Sequence, residues 1–341
     1  MCQFDVTIAI PVFNAATFLE KSLRSALSQS VEKLEILILD DCSTDNSVEI
    51  IKCISKNYAH RLTLYTSPRN CGVGVMRNKA LELAKGDYLF FMDCDDWITD
   101  DCIEVMLHEA KKHNADLVIG SHYDIRDGVE YAITEKQQIF IESDSFANFA
   151  FKERYGYVGG VWNKLMKTDC IRREHLFFPE YRVGEDVPFI FQLITKVMTV
   201  VILEKKTYYY LIRSGSLCQY NSRAVIPHDE IETHIASKFL LKDILANHIK
   251  DSYYMSMLCV VMDYCLDTVR AMIEKRNILE KQISLSVFND LLAYPVPLRT
   301  MLRYGNRRDV INCVLCNLPI CVTKYLIIIR KTIREYLPKW I

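Results

Sequence analysis

The sequence predicts an α/β fold, a mostly parallel sheet flanked by helices, followed by a helical C-terminal extension. Three observations predict it. Near-continuous apolar runs recur at residues 5–14, 34–41, 61–66, 88–92 and 115–119, with helix-like segments between them at about 15–29, 44–58, 73–85 and 99–113. Strands apolar on both faces that alternate with helices belong to a parallel sheet covered on both sides. Beyond about residue 225 the alternation stops, and the text becomes helical over 228–248, 251–277, 283–293 and 307–337, with Pro295 and Pro297 marking a break.

Taken in order, the first run ends at Pro11-Val12-Phe13-Asn14. The second ends in Asp40-Asp41 and runs into Cys42-Ser43-Thr44-Asp45. One of the two carboxylates is expected to cap the next helix, which leaves the other spare. The run at 88–92 stops abruptly in Asp93-Cys94-Asp95-Asp96. Three carboxylates packed so closely repel one another unless a hard divalent cation sits among them. Magnesium-type sites use one or two carboxylates and leave the rest to water and phosphate, so the cluster suits a metal carrying a phosphorylated ligand. The competing reading is a solvated turn with Asp96 or Thr99 as helix N-cap. Parallel sheets bind ligands outside the carboxyl ends of their strands. All three polar signatures fall at those ends, which favours the metal.

Composition bounds the rest. With 341 residues, half of them apolar and a quarter charged, and with only 11 glycines and 9 prolines, this is an ordered globular chain of roughly two domains. They are expected at 1–220, catalytic, and 221–341, helical. A net charge of −1 argues against nucleic acid as a partner, because nucleic-acid binding needs a basic face. The 13 cysteines fit free thiols in a reducing cytosol better than disulfides, and Cys313, Cys316 and Cys321 have no partner at zinc spacing. No apolar stretch reaches the roughly 18 residues of a membrane span. The first strand starts within a few residues of Met1, so no signal peptide is expected. A cytoplasmic location is therefore expected.

The succession Ile10-Pro11-Val12-Phe13-Asn14, Leu39-Asp40-Asp41-Cys42-Ser43-Thr44-Asp45, Asn70-Cys71-Gly72 with Met76-Arg77-Asn78, Gly86-Asp87-Tyr88 and Asp93-Cys94-Asp95-Asp96 resembles the family 2 glycosyltransferases. So do Trp162-Asn163-Lys164, Gly184-Glu185-Asp186 and Tyr208 through Ser216. The resemblance spans about residues 5–215. It departs from the family pattern at Cys42 and Cys94, where other small residues are usual. It implies a GT-A fold and an inverting enzyme that uses a nucleotide sugar with Mn²⁺ or Mg²⁺. On that basis Pro11, Phe13, Asn14 and Asp41 are expected at the base and ribose, and a UDP-sugar is favoured because uracil carries an imide N–H. Asp95 is the expected metal ligand with Asp93 beside it, and Arg77, Arg213 and Ser216 lie toward the donor sugar or diphosphate. Asp186 is the expected base, since one carboxylate opposite the leaving group suffices for inversion. The competing role of Glu185 and Asp186 is as first-turn residues favoured by the helix dipole. Trp162, Lys164 and Glu185 are placed on the acceptor side. A sugar nucleotidyltransferase would want a glycine-rich basic loop where Pro11 to Asn14 stand. A glycosyltransferase-like scaffold without activity would be expected to have lost the acidic residues.

In the tail, Val322, Leu326, Ile329, Ile333 and Leu337 recur at helical steps, with Lys324, Lys331, Arg334 and Glu335 on another face. Such a helix suits an anionic membrane surface. The resemblance implies a glycan or lipid-linked acceptor, so residues 317–341 are expected to make peripheral contact with the inner face of the membrane. The alternatives are packing on the catalytic domain or a homodimer contact.

Overall fold

The computed structural model describes residues 4–154, 157–213, 225–293, 301–302 and 306–336. The chain divides into two compact units, Met1–Ala147 with Tyr155–Ser216, and Asn148–Arg154 with Leu217–Ile341.

The first unit opens with β1 (Phe4–Val12), α1 (Ala16–Leu27), β2 (Leu34–Asp40), α2 (Ser47–Ser55), β3 (Leu62–Thr66), α3 (Val73–Leu83) and β4 (Gly86–Phe91). It continues with β5 (Trp97–Ile98), α4 (Cys102–His113), β6 (Leu117–Arg126), β7 (Val129–Ile133) and β8 (Gln138–Phe140), and then the start of α5 (Ser143–Glu153), whose residues from Asn148 on belong to the second unit. The last elements are β9 (Lys164–Lys167), α6 (Thr168–Arg173), α7 (Asp186–Ile194) and β10 (Val200–Ile212). One sheet runs in the order β3-β2-β1-β4-β9-β6-β10-β5, with β7 on β6 and β8 on β10. The expected α/β class is observed. Strands β3, β2, β1 and β4 are mutually parallel, and β10 is parallel to β6. Strand β9 inserts antiparallel between β4 and β6.

All seven residues of β2 are buried, as its near-continuous apolar text requires, and the one interior acid, Glu35, is satisfied by the Thr7 hydroxyl at 2.6 Å and the Lys85 N–H at 2.9 Å. Ile8 of β1 sits opposite Ile36 of β2 and Phe90 of β4, and all three are fully buried. Helix α1 turns Leu19, Leu23 and Ala26 inward at helical spacing. Burying each such large side chain stabilises the fold by about 1.5–3 kcal/mol relative to exposure. Pro11 is tolerated in this central strand because it lies past the last β1–β4 pair, Ala9 with Phe91, and pairs only with Leu39 of β2. The register sets Val12 at the end of β1 beside Asp40 at the end of β2, while β4 ends at Phe91 opposite Ala9, so that the Asp93–Asp96 run follows at the same edge of the sheet.

In the second unit, α9 (Tyr254–Glu274) is central and packs against α8 (His228–Ala246), α10 (Leu285–Leu292), α11 (Arg307–Asn317) and α12 (Ile320–Tyr336). Arg154 reaches Asp263 on α9 at 2.6 Å and Asp309 on α11 at 2.7 Å. Asn306 and Asp309 form a capping box that starts α11. The continuous helix expected over 307–337 is interrupted at Leu318, whose ψ of 151° is extended. Pro319 forces this, because its ring excludes the helical region for the residue before it. Pro295 and Pro297 lie outside the described residues. Among the described residues no helix is long and apolar enough to cross a membrane, and every cysteine is a free thiol.

Candidate active site

The site forms where β1, β2 and β4 end, wholly within the first unit. After β1, Phe13 stands about half exposed (47%) and Asn14 takes a left-handed φ of 49°. The Asn14 side-chain oxygen accepts from the Thr44 N–H at 2.8 Å, and the Asn14 N–H donates to Ser43 Oγ at 3.0 Å. Asn14 thus staples the loop after β1 to the loop after β2. Asp45 accepts from the Ala16 and Ser47 amides, both at 3.0 Å, and so caps α1 and α2 together. Neither Asp40 nor Asp41 caps α2, contrary to expectation, because Asp45 already satisfies the first turn.

Asp40 is fully buried; its Oδ1 accepts from the Ser43 N–H at 3.2 Å, while Oδ2 finds no partner among the described residues. Asp41, expected to be the spare acceptor, is engaged by both oxygens: Oδ1 takes the Cys71 N–H at 2.7 Å and Oδ2 the Gly72 N–H at 2.8 Å. Each oxygen keeps a second lone pair. Asp41 therefore fixes the turn that starts α3, where Gly72 has a φ of +91° that a side chain would strain. Two residues on, a Cβ at Gly74 would meet the Pro179 carbonyl oxygen at 2.4 Å. Asn78 holds the same segment by donating to the Phe178 carbonyl and accepting from its N–H, both at 2.8 Å.

The acidic cluster is arranged by basic and phenolic partners. Arg77, on α3 and buried, donates to Asp93 Oδ1 at 3.0 Å and to Glu185 Oε1, and its Nε has no partner among the described residues. Burial would lower the Arg77 pKa, but Glu185, Asp93 and Asp186 outweigh it and raise it. Burial pushes the Glu185 carboxyl up to about 7 against the opposing pull of Arg77. Asp93 is raised by burial, with Arg77 opposing and Asp95 adding. Asp95 is held by Arg213, Nε to Oδ2 at 2.8 Å, and the Arg213 guanidinium lies 4.6 Å from the Phe18 ring centre.

Asp96 does not cap α4. Its Oδ2 accepts from the Tyr208 hydroxyl at 2.7 Å and its Oδ1 from the Leu211 N–H at 2.7 Å, so it binds the loop to β10. Burial, with Asp93 and Asp95 adding, pushes its carboxyl well above the usual range. The Tyr208 hydroxyl in turn accepts from the Asp93 N–H at 3.1 Å. Sequence reasoning missed Tyr208. Its signal was one tyrosine in the Tyr208-Tyr209-Tyr210 run of β10, and only the folded sheet shows which of the three meets the acidic loop.

Glu185 and Asp186 stand at the start of α7, with Asp186 half-buried as its first residue and its Oδ1 accepting from the Val187 N–H at 2.8 Å. Trp162 stacks on Tyr210 and Tyr208, with ring centres 4.9 and 5.0 Å apart, and meets His122 edge-on. Its ring is thus committed to the protein's own aromatics. Lys164 is buried, donates to the Gly160 carbonyl at 2.7 Å, and is lowered to about 8 by burial against the pull of Asp186 and Glu135. Pro11 is buried, near the end of β1. Ser216 lies outside the described residues.

The geometry brings Arg77, Asp93, Glu185 and Asp186 together, and joins Arg213 to Asp95. Among the described residues no three acidic, histidine or cysteine groups converge as a closed metal cage. The donors present are hard carboxylate oxygens, which suits an ion that takes one or two protein ligands and completes its shell elsewhere.

Residues 7–167 match the family model described as glycosyl transferase family 2. Among curated relatives, the glycosyltransferase GlyA of Streptococcus pneumoniae is 31% identical over 220 residues, covering 62% of this chain and 31% of the relative. The cholesterol galactosyltransferase of Borreliella burgdorferi is 25% identical over 263 residues, covering 74% of this chain and 72% of the relative. The chain thus spans about a third of the first relative's length. The crystal structure of S. aureus TarS 1–349 in complex with UDP-GlcNAc has a TM-score of 0.68 and 19% identity, covering 92% of this chain and 90% of that one. The two share a fold.

Proposed function

On the match of residues 7–167 to the glycosyl transferase family 2 model, we propose that the chain is an inverting enzyme of that family. In this reading it moves a sugar from a UDP-sugar to a hydroxyl of a glycan or lipid-linked acceptor, as in cell-surface polysaccharide assembly on the cytoplasmic side. The observation that carries the reading is the meeting of Asp93 and Asp95 with Arg77, Arg213 and the Glu185-Asp186 pair at the strand ends. The UDP-GlcNAc bound to the structural relative supports a uridine donor. The name of the Borreliella relative supports a lipid among the acceptors.

Asp95 would hold Mn²⁺ or Mg²⁺, with Asp93 beside it. Such an ion supplies Lewis-acid stabilisation of the departing diphosphate. Arg213, paired with Asp95, brings a positive charge to the same end of the site. Phe13 offers an exposed ring edge to the base, and Asn14 and Asp41 shape the pocket floor by fixing the two loops. Asp186 accepts the acceptor hydroxyl proton as the new glycosidic bond forms and the sugar–phosphate bond breaks, with UDP as leaving group. Glu185 and Arg77 hold Asp186's loop against Asp93, while Lys164 and Trp162 back the acceptor side. A sugar nucleotidyltransferase is disfavoured because Pro11 to Asn14 stand where a glycine-rich basic loop is needed.

The test is UDP release with a panel of UDP-sugars, comparing the native chain with Asp186→Asn. Donor binding should survive the substitution while transfer falls about 10²–10⁴-fold, the usual contribution of a general base. Near-native turnover in the variant would assign the proton to another group.

A further inference from the structure

Asp93 and Asp95 each hold an arginine, and the two pairs differ in kind. Asp93 Oδ1 accepts from Arg77 at 3.0 Å, and Arg77, buried on α3, also bridges to Glu185. Asp95 Oδ2 accepts from Arg213 Nε at 2.8 Å, where the arginine side chain is 33% exposed. Arg213 is the residue after β10, and its guanidinium also lies against the Phe18 ring of α1, 4.6 Å from the ring centre. Among the described residues its ion pairing is with Asp95 alone. A single ion pair and a cation–π contact at a partly wetted position form a modest hold. Arg77, desolvated between two carboxylates, is held far more firmly.

A guanidinium on Asp95 takes up negative charge that a divalent ion would need. Two cations drawn to one carboxylate repel each other at close range, and a partly buried site screens that repulsion little. A nucleoside diphosphate changes the balance. Its oxygens complete the ion's shell, and they offer a displaced guanidinium a bidentate partner. We infer that Arg213 and the divalent cation compete for Asp95, so that the protein holds the cation firmly only together with a diphosphate. Arg213 is the exchangeable partner of the acidic loop and Arg77 the fixed one. This deepens the donor site proposed above and rests on its assignment of Asp95 to the metal.

The experiment is titration of the full chain with Mn²⁺, with and without UDP, counting the free ion by electron paramagnetic resonance. Without UDP, Arg213→Gln should bind Mn²⁺ at least about tenfold more tightly than the native chain. With Mn²⁺ present, the same variant should bind UDP more weakly, because no guanidinium reaches the phosphates. A damaged fold would weaken both, so the opposite signs mark the exchange. Arg213→Lys keeps the charge and should leave the affinity for Mn²⁺ alone near the native value. Arg213→Gln binding Mn²⁺ alone no more tightly than the native chain overturns the competition. If Asp95→Ala meanwhile loses the gain that UDP gives to Mn²⁺ binding, the metal assignment survives that result. A gain equal in Asp95→Ala and the native chain overturns the assignment and the competition together.

Discussion

Replacing Arg77 by methionine tests the electrostatic core of the site. Arg77 is buried between Asp93 and Glu185, and no other cation contacts those two carboxylates among the described residues. Glu185 already lies near 7 against an ordinary 4.5. Arg77→Met removes the cation and leaves two buried carboxylates facing each other, a change that costs about 3–5 kcal/mol. For a domain of this size that is a fall of roughly 6–20 °C in Tm. The sign with pH follows from proton uptake. In the variant the native state holds protons on Glu185 and Asp93 that the unfolded chain releases from about pH 4.5 upward, so stability falls as pH rises and recovers toward pH 5. Thermal unfolding followed by intrinsic fluorescence from pH 5 to 8.5 measures it. A deficit that is the same at every pH, or none at all, would refute the ion-bridge account.

Three further outcomes are expected. Asp95→Ala should abolish the gain in UDP affinity on adding Mn²⁺, read by calorimetric titration, and an unchanged gain would remove Asp95 from the metal. The Lys164 ammonium is lowered to about 8, so between about pH 8 and 10.5 the unfolded chain holds the extra proton and the native protein gains stability as pH rises. Lys164→Met should flatten that rise in urea unfolding, and an unaltered pH profile would show that the ammonium is not desolvated. Gly74→Ala should cost about 1–3 kcal/mol, because its Cβ meets the Pro179 carbonyl oxygen, and a variant as stable as the native chain would mean that this approach is loose.

The parallel half of the sheet was legible because β1, β2 and β4 are written as near-continuous apolar runs, and their polar ends announced where chemistry would gather. Strands β7 and β8, the short β5 and the antiparallel insertion of β9 were not legible, since their text carries little periodicity and their pairing is long-range. Within the site, the residue types could be read but their partners could not. Arg77 meets Glu185 across 108 residues and Asp95 meets Arg213 across 118, and no local pattern encodes either meeting. Asp41 looked spare because the turn that consumes it, Cys71-Gly72, lies 30 residues away. Pro319, which suits an early helical position, already marked where the tail helix starts, and the helical segment over 307–337 divides there, at the extended Leu318.

Tyr208 has a temporal implication. Its hydroxyl holds both the Asp93 amide and the Asp96 carboxylate from 115 and 112 residues downstream, so the acidic loop leaves the ribosome long before its clamp does. Until β10 and the Arg213 that follows it emerge, Arg77 alone holds this loop through Asp93, and Asp95 and Asp96 lack the partners they have in the folded protein. Maturation of the donor pocket is therefore a late, non-local event, of the kind that slows folding and lengthens exposure to chaperones. A fragment stopped at residue 199 would retain the strands of the family-matched segment yet lack its clamp. It should show native-like secondary structure with no metal-dependent nucleotide binding, separating the age of the scaffold from the birth of the site.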